Sequence, residues 1–555
     1  MNQMTGAQLI LRLLERQGVR TIAGIPGGAI LPLYDALSGT GTIQHVLARH
    51  EQGAGFMAQG MARVSGKPEV CFASSGPGAT NLVTAIADAM LDSIPLVAIT
   101  GQVPLSMIGT DAFQEVDIYG MTVPITKHNF LVRSAEELLE VIPEAFRIAM
   151  SGRPGPVLVD VPKDVQGQIV TFDEFPPVAV PKAAPRPEMA QIEAAARLIN
   201  EAERPVLYLG GGVIHSGAAQ QAVMLAEQGG LPTTMTLMAL GAMPMDHPLS
   251  IGMLGMHGAR YTNFVLEEAD LLICVGARFD DRAIGKAAQF CPKAGIIHID
   301  VDPSELDKIK TAHVAINGDV AEVLELLLPR VQVQLRKRWL AHVDGLKSRY
   351  PMQFGGLDDP RSHYGLIRAV ASALDDEAVI TTDVGQHQMW VAQAYPFRRP
   401  RQWLTSGGLG TMGFGMPTAL GAALAAPERT VVCFSGDGSI MMNIQELATL
   451  AEQGLNVKIV LMNNNALGLV YQQQSLFYGK RTFASRYAGA PDFMKIAEGF
   501  GIPAVDLDQC EHPRAALAQA LQTPGPCLIH ASIDREEFVY PMVPPGAANT
   551  EMIGG

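Results

Sequence analysis

The sequence predicts an α/β protein built as three consecutive parallel-sheet domains, and three observations carry that expectation. The chain has 555 residues, whereas a single core seldom organises more than roughly 250. Short apolar runs alternate with helical segments through turns containing Gly and Pro, as strands buried between crossover helices do. The pattern breaks at a proline-rich stretch, resumes, and in its third occurrence repeats the style of the first.

The opening "MNQMTGAQLILRLLERQG" reads as an amphipathic helix. After it, "TIAGIPGG", "EVCFASSGPGATNLVTAIADAM", "IPLVAITGQ" and "GPVLVDVPKD" supply strands, turns and helices of a first domain over 1–172. The segment "FDEFPPVAVPKAAPRPE" lacks periodicity, so 173–188 is expected to be an extended linker. A second αβ unit over 189–335 has strands at "RPVLYLGGG", "LPTTMTL", "ADLLICVGARFD" and "AGIIHIDVD". A further linker is expected over 336–358. The third domain, 359–545, carries "EAVITTDVGQHQMW", "RTVVCFSGDG", "NVKIVLMNNNALG" and "GPCLIHASID", followed by a tail over 546–555.

Composition excludes several functions. A formal charge of −14 and the lack of any lysine or arginine run leave no attraction to nucleic acid. No segment offers the uninterrupted apolar stretch of a signal peptide or a membrane helix. The six cysteines, at 71, 274, 291, 433, 510 and 527, have neither metal nor redox spacing. Buried thiols of a cytoplasmic protein are the expectation.

The most informative stretch is "FSGDGSIMMNIQELATLAEQGLNVKIVLMNNNALG". It reads as a strand, a Gly436-Asp437-Gly438 turn, a crossover helix and a second strand ending in asparagines. Such a unit sets adjacent strand ends side by side, where open α/β sheets bind ligands, so Asp437 and Asn464 can meet. A carboxylate and an amide oxygen suit a hard divalent cation such as Mg²⁺, with phosphates and water completing its shell. The glycines leave room for a diphosphate at the helix N-terminus.

Gly-Asp-Gly, then 24 residues, then Asn-Asn resembles the thiamine diphosphate motif. The resemblance implies a fold of the thiamine diphosphate enzyme type and magnesium ligands from the side chains of Asp437 and Asn464 and the carbonyl of Ala466. It also calls for an acid beside the cofactor's aminopyrimidine. Glu51 in "LARHEQGAGFMAQGMAR" is the candidate, with burial expected to raise its pKa. Gly385, Gln386 and His387 of "DVGQHQMW" are placed to hold the diphosphate, and Met412 of "GGLGTMGFG" to wedge between the cofactor rings. Gly410, Gly436, Gly438, Ser439, Gly468 and Leu469 complete the cofactor set. Because this fold class shares its cofactor between the first domain of one subunit and the third of another, a homodimer with interface sites is implied.

The motifs "GIPGGAILPLYDAL", "RHEQGAGFMAQGMAR", "GQVPLSMIGTDAFQE", "SGRPGPVLVDVPKDV", "GMLGMHG", "GARFDDR", "SGGLGTMGFG" and "QQQSLFYGKR" narrow the resemblance. Over nearly its whole length the chain is similar to the catalytic subunit of acetohydroxyacid synthase. That family decarboxylates pyruvate on thiamine diphosphate and transfers the hydroxyethyl unit to a second pyruvate or to 2-oxobutyrate, toward branched-chain amino acids. The resemblance implies FAD without net redox work, held by Arg153, Gly211, Gly212, Thr236, Leu237, Met238, Met256, His257, Gly276, Arg278, Asp300 and Asp319. It assigns Arg282 to the acceptor's carboxylate and sets Gly28, Phe113, Gln114 and Lys163 around the substrate. A small regulatory subunit is implied as a partner. Many members carry Trp where this chain has Gln473, a looser and more polar wall. A flavin-bearing oxidase, a glyoxylate carboligase or a noncatalytic homologue are the alternatives; intact Glu51, Asp437 and Asn464 oppose the last.

Overall fold

The computed structural model describes residues 1–489 and 491–554. They contain three six-stranded parallel sheets in succession. The N-terminal sheet runs, edge to edge, Gln44–Leu47, Thr21–Gly24, Glu69–Ala73, Leu96–Gln102, Pro156–Pro162, His128–Leu131. The C-terminal sheet runs Trp403–Leu404, Val379–Thr382, Val431–Gly436, Val457–Asn463, Cys527–Ser532, Ala504–Asp506. Counted along the chain, both have the order 2-1-3-4-6-5, so the repeat in style is a repeat in topology.

The middle sheet differs. Its strands, Ser250–Met253, Thr233–Met235, Pro205–Leu209, Leu271–Val275, Gly295–Asp300 and Val314–Asn317, follow the order 3-2-1-4-5-6 of dinucleotide-binding folds. The switch point falls between Pro205–Leu209 and Leu271–Val275, and Gly210–Gly212 and Gly276 stand at its mouth. Central strands such as Leu96–Gln102 and Val431–Gly436 are buried at every position, which explains why they read as continuous apolar runs.

Three segments depart from the sequence expectation. Residues Asn2–Thr5 form a strand, paired antiparallel with Ile169–Phe172, and the first helix starts only at Gly6 behind a Thr5/Gln8 capping box. The stretch expected as a linker over 336–358 contains a helix, Lys337–Arg349. Trp339, Val343 and Leu346 pack it onto the middle sheet against Val206 and Leu272, and the Trp339 indole donates to the Pro205 carbonyl at 3.0 Å. The tail is docked rather than free: Ile553 pairs with Met542, and Asn549 donates to the Ala283 carbonyl at 2.8 Å. Residues 173–188 have no regular secondary structure. All six cysteines are unpaired, five of them buried and Cys510 half-buried.

The first and third domains meet where helix Glu51–Ser65 crosses helix Gly415–Ala425. A Cβ at Gly421 would collide with the Met57 carbonyl, and one at Gly60 with the Thr418 carbonyl. Gly60 and Gly421 are therefore packing requirements of this crossing, whereas Gly53 and Gly55 make room for Glu446 and Ala85. Gly421→Val is expected to destabilise the protein by about 1–3 kcal/mol through overpacking, read as a lower urea midpoint. An unchanged midpoint would mean the helices are not in backbone contact in solution.

Candidate active site

Strands Val431–Gly436 and Val457–Asn463 are neighbours in parallel register, with Gly436 opposite Met462. Their ends therefore deliver Asp437 and Asn464 to one point, and the Asn464 N–H donates to Asp437 Oδ1 at 3.4 Å. Asn465 takes the left-handed region at φ 54°, which asparagine tolerates better than most residues. That turn lets the Ala466 N–H donate to Asn464 Oδ1 at 3.1 Å. Gln386 joins them from the neighbouring strand–helix junction: its Oε1 accepts from Asn464 Nδ2 at 2.9 Å. Gln386 Nε2 in turn donates to the Glu537 carbonyl at 2.9 Å. A side chain at Gly468 would strike both Gln386 and Asn464. Burial pushes the Asp437 carboxyl up to about 6, against backbone N–H groups that favour its charged form. A cation there would remove that penalty.

His387 is buried between two glycines; a Cβ on Gly385 or Gly436 would come within 2.8 or 2.9 Å of its ring. Its Nε2 has no hydrogen-bond partner among the described residues. Burial draws the ring down to about 3, so it is neutral. An orphaned buried nitrogen beside a glycine cradle fits a bound acceptor group such as a phosphate oxygen. Asp383 ties the glycine segment to the strand ends by accepting from Gly413 N at 2.7 Å and Ser435 Oγ at 2.8 Å. Half-buried Met412 immediately precedes Gly413, and Ser439 Oγ faces the Gly436 carbonyl at 3.4 Å.

Glu51 opens its helix in the first domain, half-buried, and accepts from Asn81 Nδ2 at 2.9 Å. The sequence reading missed what sets its position. Glu446, fully buried in the third domain, accepts the backbone N–H groups of Arg49 and His50 at 2.9 Å each, directly ahead of Glu51. A second missed network is Arg63, Asp88 and Asp92. Arg63 bonds Asp92 at 2.8 Å, and Asp92 accepts from Gly407 N at 3.1 Å and Gly408 N at 2.7 Å. Asp88 accepts from Thr411 at 2.9 Å and from Ser406. These bonds fasten the segment that carries Gly410 and Met412. Motif spacing gave no signal for either network, because each joins residues over 300 positions apart.

A cavity of about 670 Å³ lies between the middle domain and the other two. All twelve residues expected at a flavin line it: Arg153, Gly211, Gly212, Thr236, Leu237, Met238, Met256, His257, Gly276, Arg278, Asp300 and Asp319. Arg282, Gly410, Leu469 and Gln473 line it too. Thr236 Oγ1 and His257 Nδ1 are buried there without partners among the described residues. Gly210, Gly212 and Gly276 pass so closely that a Cβ on any of them would overlap backbone. Asp319 also caps helix Val320–Leu327, and Arg153 bonds Glu305 at 3.0 Å across the domain boundary. Gly28, Phe113, Gln114 and Lys163 do not reach this cavity; they lie exposed on the first domain, Phe113 at 88%.

Three family models match in succession: thiamine pyrophosphate enzyme, N-terminal TPP binding domain over residues 4–121; central domain over 192–327; and C-terminal TPP binding domain over 383–531. The chain is also 64% identical over 552 residues to the acetolactate synthase isozyme 1 large subunit of Escherichia coli (strain K12), covering 100% of this chain and 98% of that protein. This chain belongs to the acetolactate synthase family. It is 49% identical to the isozyme 2 large subunit of the same organism, over 99% of both chains. With acetolactate synthase 1, chloroplastic, of Zea mays it shares 46% identity over 99% of this chain and 88% of that protein. As in a thiamine diphosphate enzyme, the Asp437–Asn464 pair lies within the matched C-terminal domain and Glu51 within the matched N-terminal one. Among the described residues of this acetolactate synthase family member, no helix is long and apolar enough to cross a membrane.

Proposed function

We propose that this chain condenses pyruvate with a second pyruvate or with 2-oxobutyrate, giving 2-acetolactate or 2-aceto-2-hydroxybutyrate, in the cytoplasmic synthesis of branched-chain amino acids. The observation that carries the reading is the convergence of Asp437, Asn464, Gln386 and His387 at neighbouring strand ends, in a chain of this family. Thiamine diphosphate, when bound, supplies the electron sink that a 2-oxoacid needs to lose CO₂. Mg²⁺ would be held by Asp437, Asn464 and the Ala466 carbonyl, and the unpartnered Nε2 of His387 would meet the diphosphate. Gly385 and Gly436 leave room for the His387 ring and Gly468 for Gln386 and Asn464, and Gly438 and Ser439 complete the cradle proposed for the diphosphate. Glu51 would hold and release the proton that the cofactor's aminopyrimidine needs.

FAD occupies the larger cavity. The strand order of the middle sheet, the glycine approach at its switch point and the unpartnered Thr236 and His257 support that assignment. Arg282, whose side chain is 64% exposed and has only the exposed Asp281 carboxylate near it, 3.8 Å from Nε, grips the acceptor's carboxylate. A homodimer completes the site. Its support is the exposed apolar surface around Phe113, Tyr119 and Met121 on the first domain and Met442, Tyr478 and Phe483 on the third. A small subunit is a further partner, since the relatives are named large subunits.

The test is product identification from purified enzyme with thiamine diphosphate, Mg²⁺, FAD and pyruvate, with and without 2-oxobutyrate. Both hydroxyacids are expected; acetate or acetaldehyde alone would move the chain to oxidase or decarboxylase chemistry. Gln473 leaves the acceptor pocket looser than a tryptophan would, so the preference for 2-oxobutyrate is expected to be weak. Gln473→Trp should raise it severalfold, since one methylene in a pocket is worth about 1–3 kcal/mol. Equal product ratios in a competition assay of the two proteins would refute that role.

A further inference from the structure

A second cavity, of about 430 Å³, shares no lining residue with the cavity of about 670 Å³ described above. It is walled by the middle domain at Arg260, Arg349 and Tyr350, by the connecting segment at 351–356, and by the third domain at His363, Tyr364 and Glu537–Pro541. Its size is that of a small-molecule site, about 300–1,000 Å³.

Its lining is chemically selective. His363 is 6% exposed and lies tilted between Tyr364 and Trp390, with ring centroids at 4.1 and 4.6 Å. No described residue makes a hydrogen bond to its ring; the nearest carboxylate, Glu537, stands 4.0 Å away. Burial draws the imidazole down to about 4, so it faces the cavity neutral, as one donor and one acceptor. Arg260 gives its terminal nitrogen to the carbonyls of Met552 and Gly554, at 3.0 and 2.8 Å, while its buried Nε has no partner among the described residues. Arg349 lies over the Tyr350 ring at 5.2 Å and has no carboxylate partner among the described residues. Two arginines against one glutamate make this cavity locally positive in a chain of formal charge −14. Tyr350, Tyr364, Phe538 and Tyr540 add aromatic walls.

We propose that this cavity is a second ligand site, which takes a planar nitrogen-containing ring bearing an anionic group, the chemistry of a nucleoside phosphate. The arginines receive the phosphate, the tyrosines stack the ring, and His363 with Glu537 reads its donor and acceptor edge. The site is wired to the larger cavity, which His257 lines. The Tyr364 hydroxyl donates to Gln393 Oε1 at 2.9 Å, and Gln393 Nε2 donates to the carbonyls of His257 at 2.9 Å and Tyr540 at 3.2 Å. An occupant pressing on Tyr364 is thus felt at His257.

The test is calorimetric titration of enzyme saturated with thiamine diphosphate, Mg²⁺ and FAD, using ADP as probe. Saturable binding of one ADP per chain is expected, weakened at least tenfold in Arg349→Ala and in His363→Phe, which keeps an aromatic ring there but removes the nitrogens. Arg349→Ala, on the surface and away from the catalytic residues, is expected to keep basal turnover. Adenosine and inorganic phosphate should each bind at least tenfold more weakly than ADP. The absence of saturable heat overturns the proposal. So does ADP affinity unchanged in both variants, and phosphate binding as tightly as ADP overturns the ring requirement.

Discussion

Asp437→Ala is expected to leave the protein folded but unable to retain thiamine diphosphate and Mg²⁺, with condensation reduced to background. The carboxylate is buried at the end of Val431–Gly436, and what faces it is backbone N–H, with the Asn464 amide bonded to Gln386 beside it. Neutral amides cannot replace the lost charge toward a divalent cation. Outer partners of metal ligands already cost about 10–100-fold in affinity or activity when removed, so the ligand itself should cost more. Without metal, burying this carboxylate carries a penalty, so Asp437→Ala should match or exceed the stability of the cofactor-free parent at pH 8. The sign follows from the pKa. A carboxyl raised to about 6 in the folded state lowers stability as pH climbs from its unfolded value, near 4, through 6. Equilibrium dialysis with thiamine diphosphate and Mg²⁺, beside a melting curve, reads both effects. Retained cofactor affinity would remove Asp437 from the metal site.

Glu51→Gln should lose activity by about 10²–10⁴-fold, the usual worth of a positioned acid–base group, while keeping cofactor affinity within a few fold. The amide preserves shape and can still face Asn81, but it cannot exchange a proton with the aminopyrimidine. The same variant tests the dimer. Co-expressing Glu51→Gln chains with Asp437→Ala chains gives heterodimers in which one interface site is doubly altered and the other is intact. If sites are shared between chains, random pairing restores about a quarter of the parental activity. If each chain carries its own site, nothing returns, and the shared-site reading is wrong.

Much of this molecule was legible along the chain because the relevant physics is local. The crossover unit that brings Asp437 to Asn464 spans 27 residues, and pairing of its two strands follows from their apolar runs and turn residues. The glycines around His387 and at the mouth of the middle sheet mark backbone approaches that no side chain allows. Helix Lys337–Arg349 was overlooked although Trp339, Val343 and Leu346 share the spacing of one helical face. Its charged flanks outweighed three apolar residues whose partners lie in strands more than 60 positions earlier.

The sequence by itself determined the αβ alternation, the three sheets, the family and the residues with chemistry to offer. Tertiary structure alone decided the strand orders, the burial of His387 with a nitrogen that no described residue partners, the burial of His363, and the second cavity. It also decided that Glu446 carries the start of the Glu51 helix, and Asp92 the segment leading to Met412. These features depend on groups hundreds of residues apart that meet only after the domains dock. Local propensity and spacing fix what each segment becomes, while the pairing of distant polar groups is set by the packed geometry that excludes water from them.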